Sequence, residues 1–420
     1  MSFVKRFFFA QLFCAVFFAS PFLFAEVEVK EEKLFVGGEL RLRNENQINF
    51  ASFVPSRASV DDDAFVLLRA RMSLRAKPVD AVQLFLQPQF SRTFAQEEST
   101  VANGTAIDDL DLHQAYVDLN IKETPLLFRL GRQELLYGDE RLIGNFDWSN
   151  VGRSFDAIKM RLQWKKYWID TFASWIQRAG GNQYFGGVYG HIDLHDALSA
   201  ETFALLLRDN DGGLGGGALT LYTLGTHFFG HVSSWDYALQ HAFQVGTSGN
   251  SSVFAYAGHL HGGYTFDVRV KPRVGVEYNI ASGDDDPANG KVKTFNNLFP
   301  TNHNKYGYVD LVGWRNIHNP RLSFGIKPLA SLQLLLDYHL FFLMEPADGL
   351  YQASGAQLRA GNANASRFVG HEIDFLAKYA WNEYADFLVG YSLFKTEQFF
   401  SDTGLGKTAH FFSLQTTARF

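Results

Sequence analysis

From residue 34 onward, apolar and polar side chains alternate with a period of two in run after run. In 113–122, Ala115, Val117, Leu119 and Ile121 alternate with Gln114, Tyr116, Asp118 and Asn120. In 410–420, Phe412, Leu414, Thr416, Ala418 and Phe420 share one face. Period two places successive side chains on opposite faces of an extended strand. Eighteen such runs are read, from 34–43, 64–76 and 80–90 at the start to 367–379, 384–394 and 410–420 at the end. The connections between them alternate in length. Lys77–Val79, Glu123–Thr124, Lys165–Lys166 and Pro328–Leu329 are short; 44–63, 91–111, 134–154, 281–319, 343–366 and 395–409 are long. Short turns on one side and long loops on the other predict an all-β fold, a transmembrane antiparallel β-barrel of about 18 strands. An even strand count puts both chain ends on the short-turn side. No repeat or low-complexity linker breaks the run, so 26–420 reads as one barrel domain.

Composition sharpens this picture. Of 420 residues 46% are hydrophobic, yet beyond the first 25 no run of 18 apolar residues occurs, which excludes helical membrane spans. The counts of Phe (41), Tyr (17) and Gly (37) suit strands with aromatic girdles and glycine turns. Residues 1–25 read as a secretory signal peptide: Lys5 and Arg6, an apolar core from Phe7 to Phe18, and Ala25 as the small residue at the cleavage point. The single cysteine, Cys14, falls in that leader, so the mature chain needs no disulfide framework. The formal charge of −6 becomes −8 without Lys5 and Arg6, 36 basic residues against 44 acidic. That balance argues against a nucleic-acid binder.

The cations are not scattered. Arg41 and Arg43 share a strand face with Glu39, and Arg69, Arg71 and Arg75 lie opposite Leu68, Ala70, Met72 and Leu74. Arg129 lies opposite Leu126, Phe128 and Leu130, and Lys159 and Arg161 lie opposite Ile158, Met160 and Leu162. A lipid-facing arginine at mid-membrane costs about 2–4 kcal/mol, so these eight side chains are assigned to the lumen. Guanidinium groups grip carboxylates in a fork, and rings of them select anions. The competing reading is that they pair with acids of neighbouring strands, such as Glu39, Asp118 and Glu277, and merely fill the lumen.

Between the runs 126–133 and 155–164 sits a loop dense in paired charge: Arg132, Glu134, Tyr137, Asp139, Glu140, Arg141, Asp147, Trp148, Asn150, Arg153 and Asp156. Gly131–Leu135, Tyr137–Leu142, Gly144, Asp147–Asn150, Gly152–Arg153 and Phe155–Ala157 resemble the signature of the alginate-export family of outer-membrane porins. A second block, Ser282–Asp286, Pro287, Thr294–Phe295, Leu298–His303 and Asp310, is similar to that family too. The resemblance implies an outer-membrane barrel with short periplasmic turns, long extracellular loops and an acidic polysaccharide such as alginate as cargo. Its partners would be outer-membrane lipid and lipopolysaccharide, the anionic polysaccharide or small anions, and the barrel-assembly machinery, addressed through the C-terminal Phe420. The charged residues of 134–154, with Arg132 and Asp156, are expected to brace that loop, Arg132 at the barrel rim because its parity opposes that of Arg129. A general or substrate-specific uptake porin of unknown cargo, and a barrel hydrolase, stay open as alternatives.

Other chemistry is sparse. Asp284, Asp285 and Asp286 offer oxygen ligands for a weak calcium site but lack the alternating spacing and central glycine of an EF-hand, and the run is read in the first place as a solvated acidic loop. His259 and His261 share a strand face, without the three or four convergent ligands of a zinc site. No nucleophile motif such as G-x-S-x-G or H-E-x-x-H occurs. The chain is read as a channel, not an enzyme, with no cofactor.

Overall fold

The computed structural model describes residues 27–30, 33–50, 53, 61–95, 103–178, 181–212 and 217–420. The leader at 1–25 lies outside the described residues. Eighteen long strands follow one another: β1 Leu34–Ile48, β2 Asp63–Val79, β3 Val82–Phe94, β4 Asp108–Asn120, β5 Leu126–Gln133, β6 Phe155–Gln163, β7 Tyr167–Arg178, β8 Gly181–His195, β9 Leu198–Asp209, β10 Leu219–Val232, β11 Trp235–Ser248, β12 Ser251–Thr265, β13 Arg273–Ala281, β14 Ile317–Leu329, β15 Leu332–Leu343, β16 Phe368–Ala380, β17 Ala385–Thr396 and β18 Ala409–Arg419. Each pairs antiparallel with the next, and β1 pairs with β18 from Glu39↔Arg419 to Ile48↔His410, which closes the barrel. Phe420 completes the seam: Gly38 N–H donates to its carbonyl at 2.7 Å and its own N–H donates back to the Gly38 carbonyl at 3.0 Å.

Each predicted run overlaps one strand. Many strands run further at the long-loop end than the sequence pattern indicates, as in β1, which continues from 43 to Ile48. Main-chain pairing persists there above the apolar band, where lipid no longer enforces alternation. The outer face is apolar along its middle, with Met72, Ile158, Leu224, Leu260 and Val276 exposed. At the short-turn end, Trp164 packs on Tyr167 (4.7 Å between centroids) and Trp235 on Tyr264 (4.8 Å), forming part of an aromatic girdle. Each spanning strand is paired on both sides within the closed sheet, the condition for crossing hydrocarbon without a helix.

The lumen wall is divided. Around β1–β5 and β13–β16 it is polar and charged. On β6–β10, near the long loops, it is apolar: Phe155, Phe172, Phe185, Phe203, Leu205, Leu207 and Leu221 are buried inward. These side chains pack against Leu135, Leu142, Ile143, Phe295 and Phe299 of two long loops to form one hydrophobic core inside the barrel. The loops are therefore built into the lumen rather than displayed above it.

Candidate functional site

The loop 134–154 starts from β5. There Gly131 has φ +123°, and a Cβ would run into the Ala115 carbonyl oxygen, so only glycine fits this motif position. The Tyr137 hydroxyl donates to Asp170 on β7 at 2.8 Å, and its ring stacks on Tyr189 (4.5 Å) and Phe172 (5.5 Å). Gly138 then turns at φ +59°, where a Cβ would lie 2.9 Å from the Tyr189 hydroxyl. Next, Arg141 donates to Asp139 (2.7 Å), Glu277 (2.7 Å), Asn279 (3.1 Å) and the Tyr306 hydroxyl (2.9 Å). That guanidinium is 3% exposed, and its two carboxylates offset the cost of burying it. The loop thus reaches from the β7–β8 wall to β13.

Its second half docks on the opposite wall. Arg41 donates to the carbonyls of Asp147 (2.6 Å) and Ser149 (2.8 Å), Arg43 to that of Trp148 (2.6 Å), and Arg69 to that of Asp147 (3.1 Å). The Asp147 carboxylate pairs with Arg69 at 2.9 Å and Arg71 at 3.3 Å. Asn150 donates to the carbonyls of Leu68 (2.9 Å) and Ala106 (2.8 Å), tying the loop to β2 and to the loop before β4. So 134–154 crosses the full width of the lumen.

The second motif block lies alongside it. Phe299 N–H donates to the Leu142 carbonyl, Gly144 N–H to the Phe299 carbonyl and Thr301 N–H to the Glu140 carbonyl, each at 2.9 Å. The Thr301 hydroxyl donates to the Glu140 carboxylate at 2.6 Å. Arg153 donates to the carbonyls of Gly144 and Pro300, both at 3.0 Å. The Trp148 ring stacks on His303 at 3.8 Å, and the Arg43 guanidinium lies 3.8 Å from the same tryptophan. Two stretches read separately along the chain are one plug in space. Glu140, Phe146, Leu298 and Asp310 hold positive φ without being glycine, strain that persists only where surrounding contacts over-determine the backbone.

The sequence-assigned cations divide into two groups. Arg41, Arg43 and Arg69 are 3%, 2% and 1% exposed and hold the plug, with Arg71 beside them; they do not line open water. Arg129, Lys159 and Arg161 sit nearer the short-turn end, their side chains 22%, 12% and 30% exposed. Arg129 forks onto Asp118 (2.7 and 2.8 Å), Arg161 onto Asp170 (2.6 and 2.8 Å), and Lys159 lies 4.0 Å from Asp170. The Arg75 guanidinium lies 4.5 Å from the Phe35 ring.

Two expectations need adjusting. Arg132 does not brace the loop: it points outward and bridges Asp156 (2.9 Å) and Asp111 (3.3 Å), linking β4, β5 and β6 at the rim. Its parity opposes that of Arg129, which rules out contact with the plug inside. Glu134 accepts from His113 at 2.8 Å and so ties the loop's start to β4. The aspartates 284–286 diverge. Asp284 N–H donates to Asp348, Asp285 pairs with Lys293, and Asp286 accepts from the N–H of Ala288. Among the described residues no three acidic, histidine or cysteine side chains converge on a metal position. Asp170, Asn279 and Tyr306, central to the plug, were missed in the sequence; each is a single polar residue in an otherwise apolar or loop context.

Comparison with known proteins places this geometry. The family model described as alginate export matches residues 32–412. The chain belongs to the alginate export family. No curated protein matches it. Among solved structures it is similar to OprD of Pseudomonas aeruginosa (12% identity, 96% of this chain and 98% of that one, TM-score 0.63). It is also similar to OccK11 (OpdR) of the same organism (12%, 94% and 99%, TM-score 0.59). At this identity the likeness is one of fold. Family and barrel together make this a bacterial outer-membrane protein of the channel-porin kind, with extracellular long loops and periplasmic short turns.

Electrostatics holds this alginate-export plug in place. Burial alone would raise the Asp147 carboxyl, but Arg69 and Arg41 outweigh it and hold it at about 2. Asp139 is likewise kept well below the usual carboxylate range by Arg141, against the effect of burial. Because the docked Asp147 binds its proton less readily than a free aspartate, its contribution to docking is complete above about pH 4. It is lost as the pH falls through about 2. Single-channel conductance is therefore expected to hold steady from pH 7 to 4 and rise below. Asp147→Asn should show the higher conductance already at pH 7, and an acid response unchanged by that substitution would assign the effect to other groups.

Proposed function

We propose that this channel passes anionic solutes passively across the outer membrane, with an acidic polysaccharide such as alginate as cargo. The observation that carries this reading is the placement of Arg41, Arg43, Arg69, Arg71, Arg75, Arg129, Lys159 and Arg161 on the lumen side of the wall. Arg75, Arg129, Lys159 and Arg161 form the periplasmic part of the path. The four that hold the plug give the constriction a positive frame. The loop acids are neutralised locally, as Asp139 is by Arg141 and Asp147 by Arg69, so the excess of acid over the whole chain does not describe the path. Weak, repeated contacts are what conduction of a polyanion needs.

The plug also favours a second reading, a substrate-specific uptake porin, because a crossed lumen admits a narrow solute better than a wide one. Lipopolysaccharide and lipid would meet the apolar outer band. The exposure of Phe420 (42%) at the periplasmic end supports its recognition by the assembly machinery. Reversal potential in planar bilayers under a potassium chloride gradient tests the reading. Chloride preference is expected, and a cation-selective channel would refute it.

A further inference from the structure

The extracellular end of the lumen holds a cavity that shares Leu298 and Phe299 with the plug. It measures about 190 Å³ and lies between the outer ends of β8–β12 and the loops 282–316 and 344–367. Gln183, Asp209, Ser248, Thr294, Asn296 and Arg315 supply its polar lining, over a floor of leucine, valine and phenylalanine.

Arg315 stands apart from the other buried arginines. Arg43, Arg69, Arg141 and Arg321 each hold a carboxylate at 2.6–2.8 Å. Arg153 has two carbonyls at 3.0 Å. Arg315 is 5% exposed, yet its hydrogen bond is a 3.3 Å contact to the Gly355 carbonyl, and the Tyr351 ring lies 5.4 Å away. Its Nε has no hydrogen-bond partner. No ion pair joins it to any described carboxylate within 4.0 Å. A buried guanidinium without a counter-ion is costly, and a carboxylate gripped in a fork is what removes that cost. In the same lining, Gln183 donates to Asp209, whose other carboxylate oxygen accepts from the Asp211 N–H at 3.1 Å, and Gln183 leaves its own Oε1 without a partner. Carboxylate and amide oxygens accept hydroxyl groups. One orphaned cation and one orphaned amide oxygen in the same lining are a recognition set for a sugar acid. A simple anion satisfies one half of it, and a neutral sugar the other.

We propose that this cup binds one acidic sugar residue of the cargo at the extracellular end of the path, its carboxylate held by Arg315 and a hydroxyl by the Gln183 amide oxygen. The assignment rests on the acidic-polysaccharide reading above and names a subsite for that cargo. A cavity of this size suits one sugar ring rather than a length of polymer.

The test is current block of the full mature channel by tri-mannuronate, added to each side of a planar bilayer in turn, with maltotriose as the neutral control. Block from the extracellular side is expected, and Arg315→Gln should raise the half-blocking concentration about tenfold or more. Arg315→Lys should recover only part, since an ammonium lacks the fork. Heat-modifiable gel mobility checks that each variant is folded. Should Arg315→Gln not fold, Ser354→Trp fills the cup and keeps the arginine, and it must lose the block as well. Equal block in wild type and variants, or no extracellular block of the wild type, overturns the cup. The chloride-to-potassium ratio is read before any sugar is added and tests the proposed function separately. A cation-preferring channel that still binds tri-mannuronate through Arg315 would refute the anion path and keep the cup.

Discussion

Deleting Gly138–Ser149 is expected to raise single-channel conductance several-fold and to strengthen anion preference. The segment removed crosses the lumen from Tyr137 on the β7–β8 side to Asn150 on β2. It takes away three acids, Asp139, Glu140 and Asp147, and one base, Arg141. Arg41, Arg43, Arg69 and Arg71 then lose the loop carbonyls and the Asp147 carboxylate and face water, while Arg43 keeps Glu45 and Arg69 keeps Glu39. Glu277 keeps Arg321 at 3.3 Å and does not become an isolated buried charge. The barrel does not depend on the segment, because β5 and β6 pair directly from Gln133↔Phe155 to Leu126↔Leu162. Heat-modifiable mobility should therefore persist. Unchanged conductance in a folded variant would move the constriction to the 282–316 loop, whose partner strand along 140–144 would have proved dispensable.

The strands were legible because lipid enforces them. An outer face that must be apolar residue by residue leaves a period-two record wherever the inner face is polar. The lumen side of Arg41, Arg69, Arg129 and Arg161 followed from the same record, since their opposite faces are apolar. What those arginines touch did not follow. Arg41 and Arg43 hold backbone carbonyls of 147–149, and a carbonyl has no side-chain signature. Phe203, Leu205 and Leu207 alternate with Thr202, Ala204 and Leu206, so β9 reads as apolar on both faces. Its inner face is explained only by the loops packed on it, a contact between distant parts of the chain. The two motif blocks were visible, but their mutual pairing through Leu142, Gly144 and Phe299 is made by main-chain groups. Arg132 was placed at the rim by parity, whereas its partner Asp111 lay in what read as a loop, because β4 extends four residues beyond its apolar pattern.

Arg129→Gln with Arg161→Gln is expected to move the chloride-to-potassium permeability ratio toward cations while the plug stays in place. These two are more exposed than Lys159 beside them, and neither donates to the plug backbone. Each now neutralises a carboxylate: Asp118 for Arg129 and Asp170 for Arg161. With the two guanidinium groups gone, the local set changes from three cations against two acids to Lys159 alone against both. Lys159 remains 4.0 Å from Asp170, and the Tyr137 hydroxyl still donates to that carboxylate, so the buried acid keeps partners and the loop keeps its anchor. Asp118 becomes the exposed anion of the mouth. At the dielectric of water a unit charge near 4 Å is worth about 1 kcal/mol, so each removal should change the ratio by about fivefold, before salt screening reduces it. Low-salt recordings should therefore show the larger shift. Adding Asp118→Asn to the double variant should return part of the anion preference, because it removes the charge that the substitutions uncovered. A double variant that folds, conducts and keeps the wild-type ratio at low salt would assign selectivity to the plug arginines instead, and Arg71→Gln would then become the informative change.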